Sequence, residues 1–185
     1  VLNRAVEQTK QIILEKNVTT ENIDETAHDV GVGAVVFNEL SNYRIKDYVF
    51  SWDKVLNFEG ETGPYVQYTH ARACSILRRA GEDTVKAAKK GFDTSWITGE
   101  SAHHLIKLLY ALPEVIKEAG EKYEPSIVTR HIVDIAQGFN KFYHDEHILV
   151  EDEKEKTAKV ALVLAVQTAI KNGLGLLGMK APEKM

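Results

Sequence analysis

The stretch Pro125–Phe142 reads PSIVTRHIVDIAQGFNKF and predicts a long amphipathic helix. Pro125 fits the first turn of such a helix, because a proline loses no hydrogen bond at that position. Apolar residues then recur every three or four positions along one face. That stripe consists of Val128, Ile132, Ile135, Phe139 and Phe142. We expect it to be buried against neighbouring helices.

The segments on either side of this stretch also have helical periodicity. On the N-terminal side, residues 101–111 form one predicted helix and Pro113 begins another, shorter one. On the C-terminal side, the charged junction Glu151–Lys156 precedes a final helix that Gly173 or Gly175 can break. Long helices with short connections favour antiparallel neighbours. The sequence therefore predicts an all-α fold, an antiparallel helical bundle.

A further helix is predicted upstream, followed by a polar connection. It runs from Tyr65 to about Arg79, begins after Pro64 and ends before Gly81. The following segment, Glu82–Gly99, is polar and has few apolar residues. We expect this segment to be a variable loop.

The N-terminal part is predicted to be mostly helical. Helices are expected at Leu2–Lys16 and from Ile23 to about Leu40, with a break at Asn17–Thr19. Thr19 or Thr20 is the expected N-cap of the second helix, because acidic residues occupy its first turn.

Two segments in this part are ambiguous. The apolar run Val30–Phe37 (VGVGAVVF) favours a tightly packed helix, although a lone strand would also fit. Residues Asn42–Thr62 look irregular, and short extended pieces are plausible around Tyr48–Phe50. Together these segments predict a mostly helical stem ahead of the bundle.

Composition limits the class of protein. The chain has 185 residues, 44% of them hydrophobic and 27% charged, which is typical of a globular protein and argues against disorder. Its one cysteine rules out an intrachain disulfide, and no apolar run approaches the ~20 residues of a membrane span. The chain begins at Val1 without an initiator methionine and has no signal peptide, which suggests a processed or excised piece.

The net charge of −4 argues against nucleic-acid binding only as an average. Residues 65–90 contain six basic and two acidic residues, a net charge of +4, and both flanking segments are acidic. Such a basic segment predicts either a local site for an anionic ligand or an ordinary solvated helix end and loop.

No catalytic or metal-binding motif is complete. His103-His104 and His144-x-x-His147 lack the three or four converging ligands that a zinc site needs, and HExxH is absent. Neighbouring arginines could lower the pKa of Cys74, but a buried, inert thiol is the favoured interpretation. We therefore predict no catalytic, cofactor-binding or metal-binding residue in this chain.

Two aromatic groups suit RNA better than catalysis. Tyr65, Tyr68 and Arg72 are spaced i, i+3, i+7 and lie near one helix face, and Asn140 and Tyr143 end the long helix. Tyrosine and arginine together can stack on an unpaired base and contact phosphate. Alternatively, these tyrosines pack with their hydroxyls at the rim of the core.

A longer stretch supplies a family resemblance. Residues 57–72 (NFEGETGPYVQYTHAR) closely resemble the segment that ends the catalytic module of arginyl-tRNA synthetases. Residues 47–53 (DYVFSWD), 31–38 (GVGAVVFN, followed by LS at 40–41) and 172–185 (NGLGLLGMKAPEKM) are similar to the same family. The resemblance covers nearly the whole chain, and residues 82–99 are the least diagnostic stretch.

The resemblance implies a class I synthetase that joins arginine to its tRNA using ATP and magnesium. It implies that this chain is the C-terminal portion, since the His-Ile-Gly-His and Lys-Met-Ser-Lys-Ser types of ATP-site motif do not occur in it. Residues 1–64 would be the stem at the end of the catalytic module, and residues 65–185 the all-helical, DALR-type anticodon-binding domain. The isolated chain would then be inactive and hold no cofactor.

The resemblance also implies partners and contact residues. The expected partners are the anticodon stem-loop of arginine tRNA and the upstream catalytic domain of the same protein, in a cytoplasmic monomer with no membrane contact. Arginines would contact phosphates and a tyrosine would stack on a splayed base. The expected tRNA-binding residues are Arg72, Arg78, Arg79, Asn140, Tyr143 and Met185.

Other interpretations remain open from the sequence. Asn140 and Tyr143 could simply close the core of the bundle. The chain could be a helical protein-interaction module without RNA binding, which the net negative charge would also suit. A metal-dependent hydrolase is a third possibility and would require a bound metal.

Overall fold

The computed structural model describes residues 1–15, 20 and 22–185. Helices are the regular secondary structure of these residues, as the periodicity predicts. Their order is α1 (Leu2–Glu15), α2 (Ile23–Ser41), α3 (Trp52–Val55), α4 (Gly63–Ala80), α5 (Glu82–Lys90), a 3-10 turn (Thr94–Trp96), α6 (Glu100–Lys122), α7 (Ser126–Asp145) and α8 (Glu153–Leu176). None of these helices is both long and apolar enough to cross a membrane.

Helix α7 lies at the centre of an antiparallel bundle and packs against α2, α4, α6 and α8. Its predicted stripe is confirmed, because Ile132, Ile135, Phe139 and Phe142 are fully buried. Helix α8 comes very close to it at Gly173, where an added Cβ would lie 2.5 Å from Cγ2 of Ile132. Only glycine leaves room for this approach.

Helix α6 is one continuous helix, which corrects the prediction of two helices divided at Pro113. Pro113 is solvent-exposed and leaves the helix without one backbone hydrogen bond. The helix continues because Leu105 and Leu112 before the proline and Ala119 after it are all buried in the same core. It ends at Lys122, and the capping residue Tyr123 adopts a left-handed conformation with φ of 52°.

The predicted loop at 82–99 contains a helix, α5, and this is a second correction. Gly81 and Gly91, both with positive φ, bound the helix. Its two acidic residues lie in the first turn and two of its three lysines, Lys89 and Lys90, in the last turn, which matches the helix dipole. Ala88 is buried, and α5 packs against α8. The helix is short and polar, with Ala88 buried and Val85 partly buried against the same core.

Helix α8 begins earlier and ends later than predicted. Asp152 caps it, and its carboxylate accepts hydrogen bonds from the backbone N–H groups of Lys154 and Glu155. The charged junction is therefore the first turn of the helix, which runs past both Gly173 and Gly175.

Helix α2 includes the run Val30–Phe37, so the helical prediction is confirmed and the strand alternative is wrong. Gly31 lets α1 pack closely, because an added Cβ would lie 2.8 Å from the backbone nitrogen of Val6. The N-cap of α2 is Asn22, whereas Thr20 hydrogen-bonds to the hydroxyl of Thr26. The predicted break at residues 17–19, together with Lys16, lies outside the described residues.

The connection from α2 to α4 is irregular apart from α3, as predicted. Residues 47–51 form no strand, so the expected extended pieces are not β structure. Trp52 packs edge-to-face on Phe50 at 4.8 Å between ring centroids and lies under the guanidinium of Arg4. Val55 and Leu56 complete a small second core with Ala5, Ala34 and Val35.

Candidate functional site

Helix α4 presents the tyrosine and arginine face that the spacing predicts. Thr62 caps the helix by accepting the N–H of Tyr65 at 3.2 Å, and Pro64 occupies its first turn. One side of α4 buries Val66, Ala73 and Ile76 in the bundle core. Tyr68 and Arg72 lie beside this buried side, and Arg72 reaches Asn140 on α7.

Arg72 is the centre of this face. Its guanidinium carbon lies 5.0 Å from the ring centroid of Tyr68 and 5.4 Å from that of Tyr143, so both rings make cation–π contacts with it. It also donates a hydrogen bond to Oδ1 of Asn140. These contacts hold a planar cation between two half-exposed aromatic rings, 39% and 42% exposed respectively.

Asn140 uses its whole side chain within the protein. Its Nδ2 donates to the hydroxyl of Tyr65 at 2.8 Å and to that of Thr69 at 3.2 Å, and its Oδ1 accepts from Arg72. The network ties α7 to α4 and orients Arg72. A direct contact of Asn140 with a ligand stays a prediction.

Tyr143 does not close the core. It lies in the last turn of α7 with its ring 42% exposed, while Phe139 and Phe142 on the same helix are fully buried. The ring of Phe139 lies beside the ring of Tyr143, with 6.5 Å between the two centroids and 31° between the two planes. Tyr143 therefore offers a supported aromatic face to solvent.

Three adjoining grooves share Arg72. The first, of about 520 Å³, lies between α4 and the end of α7 and is lined by Arg79, Asn140, Tyr143 and His147 among others. The second, of about 410 Å³, is lined by Tyr68, Arg78 and Met185. The third, of about 550 Å³, extends toward α1 and is also lined by Tyr68, Asn140 and Met185.

The structure thus brings together the six side chains that the sequence nominated. Each of them lines at least one groove, although Met185 is 113 positions from Arg72 in the chain. Tyr68 was part of the predicted face but not one of the predicted contacts, and the i, i+3, i+7 spacing was the signal for it. The three lysines of the basic segment lie apart from the grooves, on α5: Lys86, Lys89 and Lys90.

The histidine pair of the first groove lies beside arginines. His144, Glu146 and His147 line that groove with Arg72 and Arg79. Because Glu146 is paired with Lys159, the two arginines suit an anionic ligand better than a metal cation. Among the described residues, no three His, Cys, Asp or Glu side chains converge in a way that could hold a metal ion.

Cys74 is buried on α4, one turn after His70. Burial raises the pKa of its thiol to about 11, and the nearby Arg78 offsets only part of this effect. The possible lowering of the pKa by the basic segment is therefore wrong, and the thiol is inert as a nucleophile.

Family models match both parts of the chain. Residues 66–185 match the DALR anticodon binding domain, and residues 1–52 match the class I tRNA synthetase (R) catalytic domain. Because the first match spans well over half of the chain, it assigns the bundle to a family.

Curated relatives align with the whole chain. It is 55% identical over 185 residues to the arginine–tRNA ligases of Halothermothrix orenii and Alkaliphilus metalliredigens. It is 51% identical over 184 residues to that of Clostridioides difficile. In each case the chain spans 32% of the relative's length.

Solved structures share the fold. The arginyl-tRNA synthetase of Thermus thermophilus superposes with a TM-score of 0.90 at 34% identity, over 100% of this chain and 31% of that one. The enzyme of Plasmodium falciparum superposes with a TM-score of 0.86 at 24% identity, over 100% of this chain and 33% of that one, and supports the fold alone.

Proposed function

The chain belongs to the DALR anticodon-binding domain family, and we propose that it is part of an arginyl-tRNA synthetase whose bundle binds the anticodon stem-loop of arginine tRNA. The observation that carries the proposal is the arrangement of Arg72 between Tyr68 and Tyr143 at the junction of three grooves. Aromatic faces stack on unpaired bases, and arginines contact phosphate.

Each nominated side chain has a physical part in this proposal. Tyr143 stacks on a splayed base of the loop, because its exposed ring is supported by Phe139. Arg78 and Arg79 are exposed at the ends of two grooves and neutralise phosphates. Asn140 fixes the guanidinium of Arg72, and Met185 lines the groove beside Tyr68.

We propose that the parent enzyme attaches arginine to its tRNA with ATP and magnesium, bound outside this chain. The two ATP-site motifs of the family do not occur in the sequence. This chain then contributes tRNA binding and positioning, and no catalytic step is assigned to it.

The stem of the proposed protein is residues 1–64, which dock onto the catalytic domain. Support comes from large apolar side chains that are strongly exposed in this part, among them Ile45 at 79% and Val49 at 93%. These exposed side chains suit a surface that another part of the protein covers. The Thr62 cap and Pro64 supply a natural boundary before the bundle.

The alternative of a protein-interaction module is not favoured. It would gain if Arg72, Arg78, Arg79 and Lys89 pointed to separate faces. Arg72 shares one groove with Arg78 and another with Arg79, whereas Lys89 lies apart from them on α5. We also propose a cytoplasmic monomer. Light scattering of the purified chain tests the monomer, and a mass of twice 20.7 kDa would contradict it.

The test of the proposal is a binding comparison at two salt concentrations. We expect the chain to bind an arginine tRNA more tightly than a tRNA for another amino acid, and to lose affinity as salt increases. Equal affinity for both tRNAs would contradict anticodon recognition, and no binding at low salt would contradict an RNA role.

A further inference from the structure

The last seven residues lie along α4 instead of extending into solvent. The chain turns after α8 at Gly178, whose φ of 74° belongs to the left-handed region that favours glycine. Met179 follows, is buried, and donates its backbone N–H to the carbonyl of Leu174 at 2.9 Å. From there the tail, defined as residues 179–185, runs to the grooves around Arg72.

Side chains of α4 hold this tail by its backbone. Nε2 of Gln67 donates to the carbonyl of Lys180 at 2.9 Å, and Nδ1 of His70 donates to that of Pro182 at 2.9 Å. Arg78 donates to the carbonyl of Glu183 at 3.1 Å. Because the acceptors are backbone carbonyls, these bonds fix the path of the tail and not its side chains.

The two inner contacts are buried. Both ring nitrogens of His70 and the Nε2 of Gln67 are hydrogen-bonded, whereas Oε1 of Gln67 has no partner among the described residues. Gln67 and His70 have no solvent exposure, and Gln67 also donates to the carbonyl of Asp29 on α2 at 3.2 Å. Since Nδ1 of His70 donates, its Nε2 accepts from Gln167 on α8 at 3.0 Å. Burial lowers the pKa of His70, so the ring is neutral and keeps this arrangement.

The surrounding backbone leaves space for Gln67. An added Cβ at Gly33 would lie 2.8 Å from Nε2 of Gln67 and 3.0 Å from Cε of Met179. Burying polar groups is costly unless their hydrogen bonds are made, and an apolar pair could fill the same volume. Gln67 and His70 are polar and bond to the tail, which indicates that a fixed position of the tail has a function.

The far end of the tail is Met185, which lines two grooves together with Tyr68 and Arg72. We propose that Gln67 and His70 are positioning residues that set where Met185 stands in the tRNA-binding surface. The inference rests on the proposed function, because tRNA is the ligand that Met185 would contact. Because the tail is already ordered in the free protein, binding of tRNA does not lose the conformational entropy of ordering it.

The first test measures the mobility of the tail in the absence of tRNA. The chain has two methionines, so labelling the methionine methyl groups with carbon-13 gives two NMR signals, from Met179 and Met185. In His70→Phe, which cannot donate to Pro182, we expect the Met185 signal to narrow and to move to the position of a mobile residue. An unchanged Met185 signal would overturn the inference.

Two variants separate positioning from a general loss of structure. In His70→Asn the side-chain amide can replace Nδ1 as the donor, and we expect the wild-type Met185 signal to return. Gln67→Glu replaces the donor with an acceptor and should release the tail again. Release in all three variants would point to general loosening and would overturn the role of the Nδ1 donor.

The second test measures affinity for arginine tRNA. We expect His70→Phe to bind roughly three- to tenfold more weakly, and removal of Met185 to have the same effect. Combining the two changes should add nothing further, because both act through one residue. Additive losses would overturn the proposed route through Met185.

The outcomes distinguish this inference from the proposed function. If His70→Phe releases the tail but keeps wild-type affinity while Tyr143→Ala weakens binding, the positioning role is wrong and the proposed function stands. If neither change affects binding of tRNA, the proposed function fails, and the positioning role fails with it.

Discussion

At the scale of single residues, Arg72 is the side chain on which the surface depends. It contacts two aromatic rings and an amide at once, which needs a flat guanidinium. We expect Arg72→Lys to weaken tRNA binding by roughly fivefold to twentyfold, since the charge is kept but the stacking is lost.

The salt dependence separates geometry from charge in that experiment. The slope of log affinity against log salt should be the same for wild type and Arg72→Lys, because the number of cations is unchanged. Wild-type affinity in Arg72→Lys would show that Arg72 acts as a charge alone.

Cys74 gives a second prediction for a single residue. Its pKa of about 11, two units above the ordinary value of 9.0, lowers the thiolate fraction near neutral pH by about a hundredfold. We expect iodoacetamide at pH 8 to alkylate the folded chain far more slowly than the chain in urea, as measured by mass spectrometry. Equal rates would contradict the burial of the thiol.

At the scale of elements, Lys159 joins the turn after α7 to α8. Its buried ammonium lies 3.0 Å from Oε2 of Glu146 and 2.8 Å from Oε1 of Glu155, and it donates to the carbonyl of His147 at 3.1 Å. Burial acts to lower its pKa, but these bonds outweigh the burial and raise it. The ammonium therefore stays charged.

We expect Lys159→Met to lower the free energy of unfolding by about 2–3 kcal/mol, because it leaves carboxylates without their buried partner. The matched control is Lys141→Met on α7, which breaks an exposed pair with Asp145 and should cost under about 1 kcal/mol. Urea denaturation measures both. Equal losses in the two variants would contradict the role of Lys159.

The elements show what periodicity can and cannot predict. The stripe on α7 was predicted residue by residue, since burial alone generates it. Helix α5 was missed because it buries little, and the division of α6 at Pro113 was wrong because core contacts on both sides of the proline outweigh its missing hydrogen bond.

The site was predictable only in part. Family resemblance and the spacing of Tyr65, Tyr68 and Arg72 located its helix face. The contacts that shape it, such as Gln67 with Lys180, join residues 113 positions apart. No local pattern encodes such pairs, so the Asn140 network and the tail could be seen only in the folded chain.

At the scale of the whole molecule, the bundle and the stem have different surfaces. Two of the grooves lie on the bundle and the third lies between the bundle and the stem, where Ile45 and Val49 are also strongly exposed. We expect the isolated chain to give only background arginine-dependent exchange of pyrophosphate into ATP. Exchange above that of a heat-denatured sample would contradict the assignment of catalysis to another part of the enzyme.

The most direct test of the central claim is the affinity of Tyr143→Ala for arginine tRNA, with nuclease footprinting of the anticodon loop. The matched control is Tyr110→Ala, which removes a tyrosine that is 88% exposed on α6 and lines none of the three grooves. We predict that Tyr143→Ala binds roughly 5- to 150-fold more weakly, the loss of one base stack, and no longer protects the loop. Tyr110→Ala should match wild type, and unchanged affinity and protection in Tyr143→Ala would contradict the account.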